Sequence, residues 1–183
     1  LATSDSKLPI TVSLIFNQVN SEKSIHGLFG IGAKASFEYN FTLQEKKLEM
    51  IDPSDNSTFF EEITLSKAKN NYRLDLPPGY EGKVYYNHLD GSYALYDKSL
   101  YEIVIYDKHK NKMEFEYKGG KTLIKAMTNV EGDKIQFTKN SKNQIELIEK
   151  NKYNSEIVRL LYNESNRISA IRLEKERKLI EFS

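Results

Sequence analysis

"IQFTKNSKNQIELIEK", residues 135–150, is the stretch that decides the fold predicted for this chain. Ile135 and Phe137 alternate with polar residues, a polar segment follows, and Ile145 and Ile148 open a second apolar segment. This order is typical of a strand, a turn and a second strand. Segments that match its start recur almost evenly along the chain: MEFEY (113–117), IQFTK (135–139), VRLLY (158–162) and IEFS (180–183).

The second apolar segment recurs with nearly the same period. Its pairs are Ile124 and Met127, Ile145 and Ile148, Ile168 and Ile171. A fixed period of about 22 residues indicates stacked hairpin units. Residues 156–182 also have apolar residues at helical spacing, so a helix is the rival interpretation there. The repeat decides for strands, because the equivalent segments are too short and too strand-like for a helix.

The N-terminal half also shows period-two patterns. LPITVSLIFN (8–17) and ASFEYNFTL (35–43) alternate apolar and polar residues, and a polar turn leads into LEMID (48–52). Residues 66–92 are less regular, and LPPGYEG within them cannot continue a helix or a central strand. A further strand is predicted from the alternation of Tyr101, Ile103 and Ile105. The predicted fold class is therefore all-β, an antiparallel sheet of repeated hairpins that is open or spirals, with less than about 15% helix.

Length and composition set outer bounds on this interpretation. The 183 residues suit one domain or two small ones, and we predict an N-terminal β-rich entry segment over 1–108 and β-hairpin repeats over 109–183. The net charge of +1 favours neither nucleic acid nor an acidic surface. No run reaches the ~20 apolar residues of a membrane-spanning helix. The absence of cysteine excludes disulfides and thiolate chemistry. A first residue of Leu predicts that the chain is part of a longer polypeptide.

Four motifs resemble ligand sites but lack the spacing or the structural context that such sites need. Gly120-Lys121-Thr122 matches the end of a phosphate-binding loop, yet Phe115 stands where that loop needs glycine, so a hairpin turn is predicted instead. GLFGIG (27–32) lacks the strand-to-helix context of a dinucleotide loop. DPSDNS (52–57) lacks the glycine and glutamate spacing of a calcium loop, which favours an Asx turn. The basic KHKNK (108–112) is predicted to be a solvated turn rather than a nucleic-acid site.

The remaining candidates also favour structural roles. His26, His88 and His109 lie far apart in the sequence and none has a second histidine at metal-ligand spacing. No order of serine, histidine and aspartate suggests a triad. The aromatic stripe of Phe37, Tyr39 and Phe41 could stack on sugars, but at strand period it more often belongs to a core. The sequence therefore predicts no enzyme, no catalytic, cofactor-binding or metal-binding residues, and no cofactor.

The residues of both halves resemble a known family, the tyrosine-aspartate (YD) repeats of Rhs proteins. Their loose consensus is Gly-Arg-Leu, two residues, Ile, Gly-Asn and a strand ending in Tyr-Asp. GGKTLIKAMTNVEGDKIQF (119–137) is the best matching unit, and RLLYNESNRISAI (159–171) carries Tyr162-Asn163 in place of Tyr-Asp. LPITVSLIFN and GLFGIGAKASFEYNFTL (27–43) resemble the entry segment of such repeats. Ala33 replaces the usual Trp there, and Phe16 the usual Tyr.

This resemblance implies a function as well as a fold. In that family the repeats build a long sheet that spirals into a hollow shell around a C-terminal effector, commonly a toxin, in secreted or cell-surface bacterial proteins. The expected partners are the remainder of the same polypeptide, that is, further repeats and the effector. The family's self-cleaving element lies downstream of the repeats, and nothing in this sequence matches it.

Two functional classes stay open at this point. The first, which the sequence favours, is a non-catalytic structural segment of such a shell. The alternative is a carbohydrate- or cell-surface-binding β-module. A coplanar set of solvent-facing tyrosines would favour the second class, and tyrosines turned inward the first. If the sheet is a slice of a longer one, the last strand, KLIEF (178–182), should be an unpaired edge that leads to self-association.

Overall fold

A computed structural model describes residues 13–16, 33–36, 38–151 and 156–182. The chain is all-β with one short helix in this part, which confirms the predicted fold class. The elements follow in chain order: β1 (Leu14–Phe16), β2 (Ala33–Ala35), β3 (Asn40–Leu43), β4 (Lys47–Ile51), β5 (Ser57–Ile63), α1 (Leu65–Asn70), β6 (Lys83–Tyr86), β7 (Tyr93–Asp97), β8 (Glu102–Tyr106), β9 (Lys112–Lys118), β10 (Lys121–Thr128), β11 (Lys134–Lys139), β12 (Ile145–Asn151), β13 (Glu156–Tyr162), β14 (Ile168–Leu173) and β15 (Lys178–Glu181).

Thirteen strands, β3 to β15, form one open antiparallel sheet, and β1 pairs with β2 in a separate hairpin. Every strand of the large sheet lies beside its neighbours in the sequence, so the order in the sheet is the order in the chain. Such a meander arises when each turn is short enough to bring the next strand back alongside the last. The exception is the connection from β5 to β6, which carries α1 and a loop.

The described residues divide into two compact units: residues 39–124 form one, and the described residues before 39 and after 124 form the other. The sheet of the first unit curls strongly. Phe41 on β3 and Phe115 on β9 have five strands between them in the sheet order, yet their ring centroids are 5.0 Å apart. The right-handed twist that accumulates between neighbouring strands accounts for this curl. The enclosed face carries fully buried side chains: Leu48, Phe60, Tyr85, Ile103 and Phe115.

The other face of the first unit is covered by α1 and the loop after it. Ala68 of α1 packs against Val84, Tyr93 and Leu95. Because both faces are covered, consecutive residues of β7, Tyr93 to Leu95, are all buried. Thr64 caps the helix, since its hydroxyl oxygen accepts a hydrogen bond from the Lys67 amide at 3.2 Å.

The second unit contains the predicted repeat. The hairpins β11–β12 and β13–β14 have the same register shift at equivalent positions, between Thr138 and Lys139 in one and between Leu161 and Tyr162 in the other. The extra residue of each β-bulge lies just after the hairpin turn, at Glu146 in one hairpin and at Ser169 in the other. Three buried positions of the first hairpin recur at the same interval in the second: Ile135 and Val158, Phe137 and Leu160, and Ile145 and Ile168. The prediction of strands rather than a helix over 156–182 is confirmed.

Several details differ from the sequence predictions. Tyr101 is not in a strand, because it adopts a left-handed backbone (φ 51°) in the turn before β8. Helix α1 was not predicted. The strand predicted over 35–43 is shorter in the structure, where β3 covers Asn40–Leu43. A separate strand, β2, lies before it. Ile10, Val12, Phe37 and His26, together with the GLFGIG motif, lie outside the described residues. The boundary predicted near residue 108 stays a prediction.

Candidate functional site: hairpin turns, a groove and an edge strand

The turn between β8 and β9 shows how these hairpins are closed. Asp107 directly follows β8, and its Oδ1 accepts hydrogen bonds from the amides of His109 at 2.8 Å and Asn111 at 2.9 Å. The side-chain amide of Asn111 donates to the other carboxylate oxygen of Asp107 at 2.8 Å. Lys110 between them has a left-handed backbone (φ 66°). This is a three-residue hairpin loop with a bulge, in which the aspartate satisfies backbone donors that the sheet leaves free.

The hydrogen bond from the fifth residue of the turn to the side chain of the first occurs in five turns, including this one. In each one, a side-chain Oδ1 accepts a hydrogen bond from the amide four residues later, over 2.8–3.1 Å. The residue pairs are Asp52 and Asn56, Asp107 and Asn111, Asn129 and Asp133, Asn140 and Gln144, and Asn163 and Arg167. The residue before the second member has a positive φ in every case. The predicted Asx turn at 52–57 and the predicted turn at 108–112 are therefore confirmed.

The GGK motif is also a turn, as predicted. Gly119 and Gly120 have φ values of 60° and 77° and join β9 to β10. Two consecutive positive φ values are typical of the type I′ hairpin turn, which glycine adopts without steric cost. The segment that follows is a strand, so these residues have no helix N-terminus to offer a phosphate. The expectation that the chain binds no nucleotide stays a prediction.

Tyrosine followed by aspartate or asparagine ends four strands: Tyr86-Asn87, Tyr96-Asp97, Tyr106-Asp107 and Tyr162-Asn163. In each pair the second residue opens the next turn with its side-chain oxygen. Only the fourth pair was recognised from the sequence. The tyrosines of the first three stand at positions 86, 96 and 106, an even spacing that would have identified them.

The Tyr162 hydroxyl connects neighbouring hairpins of the second unit. It donates a hydrogen bond to the backbone oxygen of Ile145 at 2.5 Å, in the preceding hairpin. Burial raises the pKa of Tyr162 above its ordinary value, and the nearby carboxylates of Glu146 and Glu38 raise it further. The hydroxyl therefore stays protonated and able to donate.

Most tyrosines are turned into the structure rather than presented to solvent. Among the eleven described, Tyr85 and Tyr93 are buried, Tyr101 is exposed and the rest are half-buried. The Tyr93 ring stacks on Tyr106 with centroids 4.5 Å apart, and the Tyr93 hydroxyl donates to a backbone oxygen at 3.3 Å. No coplanar set of exposed tyrosines is present among the described residues.

The aromatic stripe contributes to the core where the structure describes it. Phe41 is buried, and the Tyr39 ring contacts the Phe115 ring edge to face, with centroids 6.1 Å apart. Phe37, the third member of the stripe, lies outside the described residues. Tyr39 and Phe41 are therefore used inside the fold rather than offered to a sugar.

The described histidines are not brought together as a site. His88 is exposed and lies beside Tyr86, with its Nε2 3.8 Å from a carboxylate oxygen of Glu61. His109 sits at the tip of the 107–111 turn, where its backbone amide helps to cap the turn. In the parts of the chain that the structure describes, no group of three or more histidine or acidic side chains could hold a metal ion.

The first unit has a groove of about 750 Å³ between the Pro77–Lys83 loop and the β7–β8 hairpin. Tyr80 holds the loop in place, since its hydroxyl donates to the Lys83 backbone oxygen at 2.9 Å. Only glycine fits at Gly82, because a Cβ atom there would lie 2.5 Å from the backbone oxygen of Tyr96. The groove is lined by apolar and charged side chains, including Leu95, Val104, Tyr106, Asp97 and Glu102.

Strand β15 is the outermost strand on one side of the sheet, and all four of its residues are exposed. It pairs with β14 alone among the described strands. Three apolar side chains are more than one third exposed along it and directly after it: Leu179 at 45%, Ile180 at 39% and Phe182 at 39%. The predicted unpaired edge is therefore present. Whether it leads to self-association stays a prediction.

No protein-family model matches this sequence, and no curated protein is significantly similar to it. Among the described residues, no helix is long and apolar enough to cross a membrane. The class that the fold defines is an open antiparallel β-meander built from repeated hairpins.

Proposed function

We propose that this chain is a non-catalytic structural segment of a large bacterial YD-repeat protein, secreted or exposed at the cell surface. In this proposal it forms part of a β-shell that encloses or presents a C-terminal effector such as a toxin. The observation that carries the proposal is the repeat of a hairpin with the same bulge, the same Asx-capped turn and the same core positions. Identical units that stack on their neighbours can extend a wall without limit.

Three further observations support it. Four strands end in tyrosine followed by aspartate or asparagine, the pattern after which YD repeats are named. Strand β15 leaves an open edge on which another hairpin can add. The inward tyrosines favour a structural role over a binding platform, because their hydroxyls and ring faces are used inside the fold.

The test is the complete polypeptide that contains this segment. We expect its reading frame to encode further hairpin units, each of about 22 residues, after Ser183, followed by an unrelated C-terminal domain. In the purified polypeptide, limited proteolysis should spare that domain until the repeats are denatured. A polypeptide without further hairpin units, or with a C-terminal domain digested equally fast before and after denaturation, would contradict the proposal.

The second candidate is a carbohydrate- or cell-surface-binding β-module, and the groove beside Tyr80 is the observation that favours it. An aromatic side chain next to carboxylates suits the apolar face and the hydroxyls of a sugar. Binding of the chain to a glycan array, lost on Glu102→Gln and retained on Glu174→Gln outside the groove, would support this candidate. An array without reproducible binding would leave the shell segment as the better account.

A further inference from the structure

On the side of β15 where no described strand pairs with it, the backbone presents defined hydrogen-bonding groups. The Phe182 amide donates to the Ser169 oxygen at 2.8 Å, so residue 182 directs its backbone groups toward β14. Backbone groups alternate in direction along an antiparallel strand, which places those of Ile180 and Lys178 on the same side. The N–H and C=O groups of Leu179 and Glu181 consequently point away from the sheet. They can pair with a further strand.

The side chains at this edge continue an apolar row. Leu160 on β13 is opposite Ile171 on β14, and Ile171 is opposite Ile180 on β15. Leu160 is buried, Ile171 is half-buried, and Ile180 is exposed. The exposure increases because nothing described lies beyond β15. One more apolar residue opposite Ile180 would extend the row and cover it.

We propose that this edge pairs with β15 of a second copy of the chain, in an antiparallel two-fold arrangement centred on Ile180. Residues directly opposite each other in an antiparallel pair have side chains on the same face of the sheet, so their numbers along two identical strands differ by an even amount. One residue is therefore opposite its own copy, and the two-fold axis passes between these two residues. With Ile180 at the centre, Leu179 faces Glu181 of the second copy and exchanges two hydrogen bonds with it. By symmetry, Glu181 of the first copy and Leu179 of the second copy exchange two more hydrogen bonds.

The other centres are excluded by charge and backbone conformation. Centring on Lys178 or on Glu181 would place like charges directly opposite each other, which is destabilising. Centring on Leu179 would bring Arg177 into the ladder. Arg177 cannot join it, because its backbone is left-handed (φ 51°) and its amide already donates to the Glu174 oxygen at 3.3 Å. Centring on residue 182 would leave most of β15 unpaired.

The expected dimer is closed but weak. A two-fold pair uses the β15 edge of both copies, so further copies cannot add there. Five residues a side are far fewer than the roughly 20–30 of a standard interface, so we expect a reversible, concentration-dependent dimer. The pairing goes beyond the proposed shell function and does not depend on it. A further hairpin of the same polypeptide would compete for the same edge.

A single engineered cysteine tests the centre of the pairing, because the chain has no cysteine of its own. At the centre the two Cα atoms should lie about 4.5 Å apart, within the range that a disulfide bridges. We expect Ile180→Cys to give a covalent dimer under mild oxidation. Leu179→Cys is the matched control, since its Cα atoms should be about 8 Å apart. Equal or stronger cross-linking of Leu179→Cys would overturn the register.

Sedimentation of the unmodified 183-residue chain over a range of concentrations tests the association itself. Glu181→Pro removes an outward N–H without touching the hydrogen bonds to β14, so it should keep the fold and abolish the dimer. Glu181→Ala retains the N–H and should still dimerise. A strictly monomeric chain, or a Glu181→Pro variant that dimerises as well as Glu181→Ala, would overturn the proposal. Trimers and larger species would also overturn it, because they require an open, head-to-tail pairing. None of these results bears on the reading frame that tests the shell.

Discussion

At the scale of single residues, the recurring turns depend on a complementary pair of side chains. In four of the five turns, the first member accepts hydrogen bonds from two backbone amides. A carboxylate faces a side-chain amide in, for example, the pairs Asp107 with Asn111 and Asn129 with Asp133. One carboxylate and one amide can share a hydrogen bond, whereas two carboxylates repel. The order of the two within the turn is interchangeable, because the carboxylate comes first in the former pair and second in the latter.

This exchange yields a prediction for the buried turn at 129–133. Asn129→Asp should lower the free energy of unfolding by about 1–3 kcal/mol at neutral pH, because it sets two carboxylates against each other in a buried site. The double variant Asn129→Asp with Asp133→Asn restores the mixed pair and should regain most of the loss. Urea unfolding at pH 7 measures both. A double variant no more stable than the single one would show that the pair does not act as a unit.

A second prediction concerns the left-handed position of the turn. Gly132 (φ 83°) and Lys110 (φ 66°) occupy it in two different turns, and a Cβ added at Gly132 would meet no neighbouring atom. Gly132→Ala should therefore destabilise the chain by about 1 kcal/mol through backbone conformation alone.

Lys110→Gly tests the same position in the opposite direction. It should change stability by less than about 1 kcal/mol, because relief of the left-handed backbone is offset by glycine entropy and by loss of the exposed pair between Lys110 and Asp75. Thermal melts of both variants make the comparison. Equal destabilisation by the two substitutions would argue against a conformational cause.

At the scale of elements, the strands of the repeat were predictable and the helix was not. Ile135 and Phe137 alternate with polar residues, and they recur, like Ile145, at a fixed interval in the next unit. Both patterns follow directly from burial of one face of the sheet. Helix α1 is short and has one buried side chain, Ala68, so its periodicity cannot be detected. It forms because Val84 and Leu95 offer it a surface, and that surface exists only after the sheet has formed. The groove is lined by residues from separate segments of the chain, which come together only after the sheet has formed. The sequence could therefore not predict it.

The Tyr162 hydroxyl provides a prediction at this scale, since it joins two hairpins. Tyr162→Phe should cost about 1 kcal/mol, because it leaves the Ile145 oxygen without this donor while keeping the ring. Tyr101→Phe is the matched control, an exposed tyrosine in a turn, and should be close to neutral. Chemical denaturation of the two variants compares them directly. A loss of the same size in both would show that the hydroxyl has no special role between hairpins.

At the scale of the whole molecule, burial of tyrosine side chains governs the response to alkali. Burial raises the pKa of seven tyrosines above the ordinary value: Tyr39, Tyr80, Tyr85, Tyr93, Tyr96, Tyr106 and Tyr162. The unfolded chain therefore loses these protons at lower pH than the folded chain. Stability is fully present below the ordinary value of about 10 and falls as the pH rises above it.

Spectrophotometric titration at alkaline pH should reveal this difference. In denaturant, all twelve tyrosines should titrate near the ordinary value, whereas in the folded chain most should ionise only at higher pH or together with unfolding. The free energy of unfolding, measured in urea, should decrease steadily once the pH passes about 10. Superimposable titrations of the folded and the denatured chain would contradict the burial of these hydroxyls.

The agreement between strand order and chain order has a mechanical consequence. A force applied to the chain on the C-terminal side of β15 acts first on that strand, which is held by β14 alone among the described strands, and then on β14 and β13 in turn. Each hairpin of about 22 residues would lengthen the chain by about 75 Å when drawn out straight. The repeat hairpins β11–β12 and β13–β14 should therefore detach one after another in steps of similar length rather than all at once. We expect stepwise extension when the chain is pulled from this end in a single-molecule experiment, and a single all-or-none extension of the repeats would contradict it.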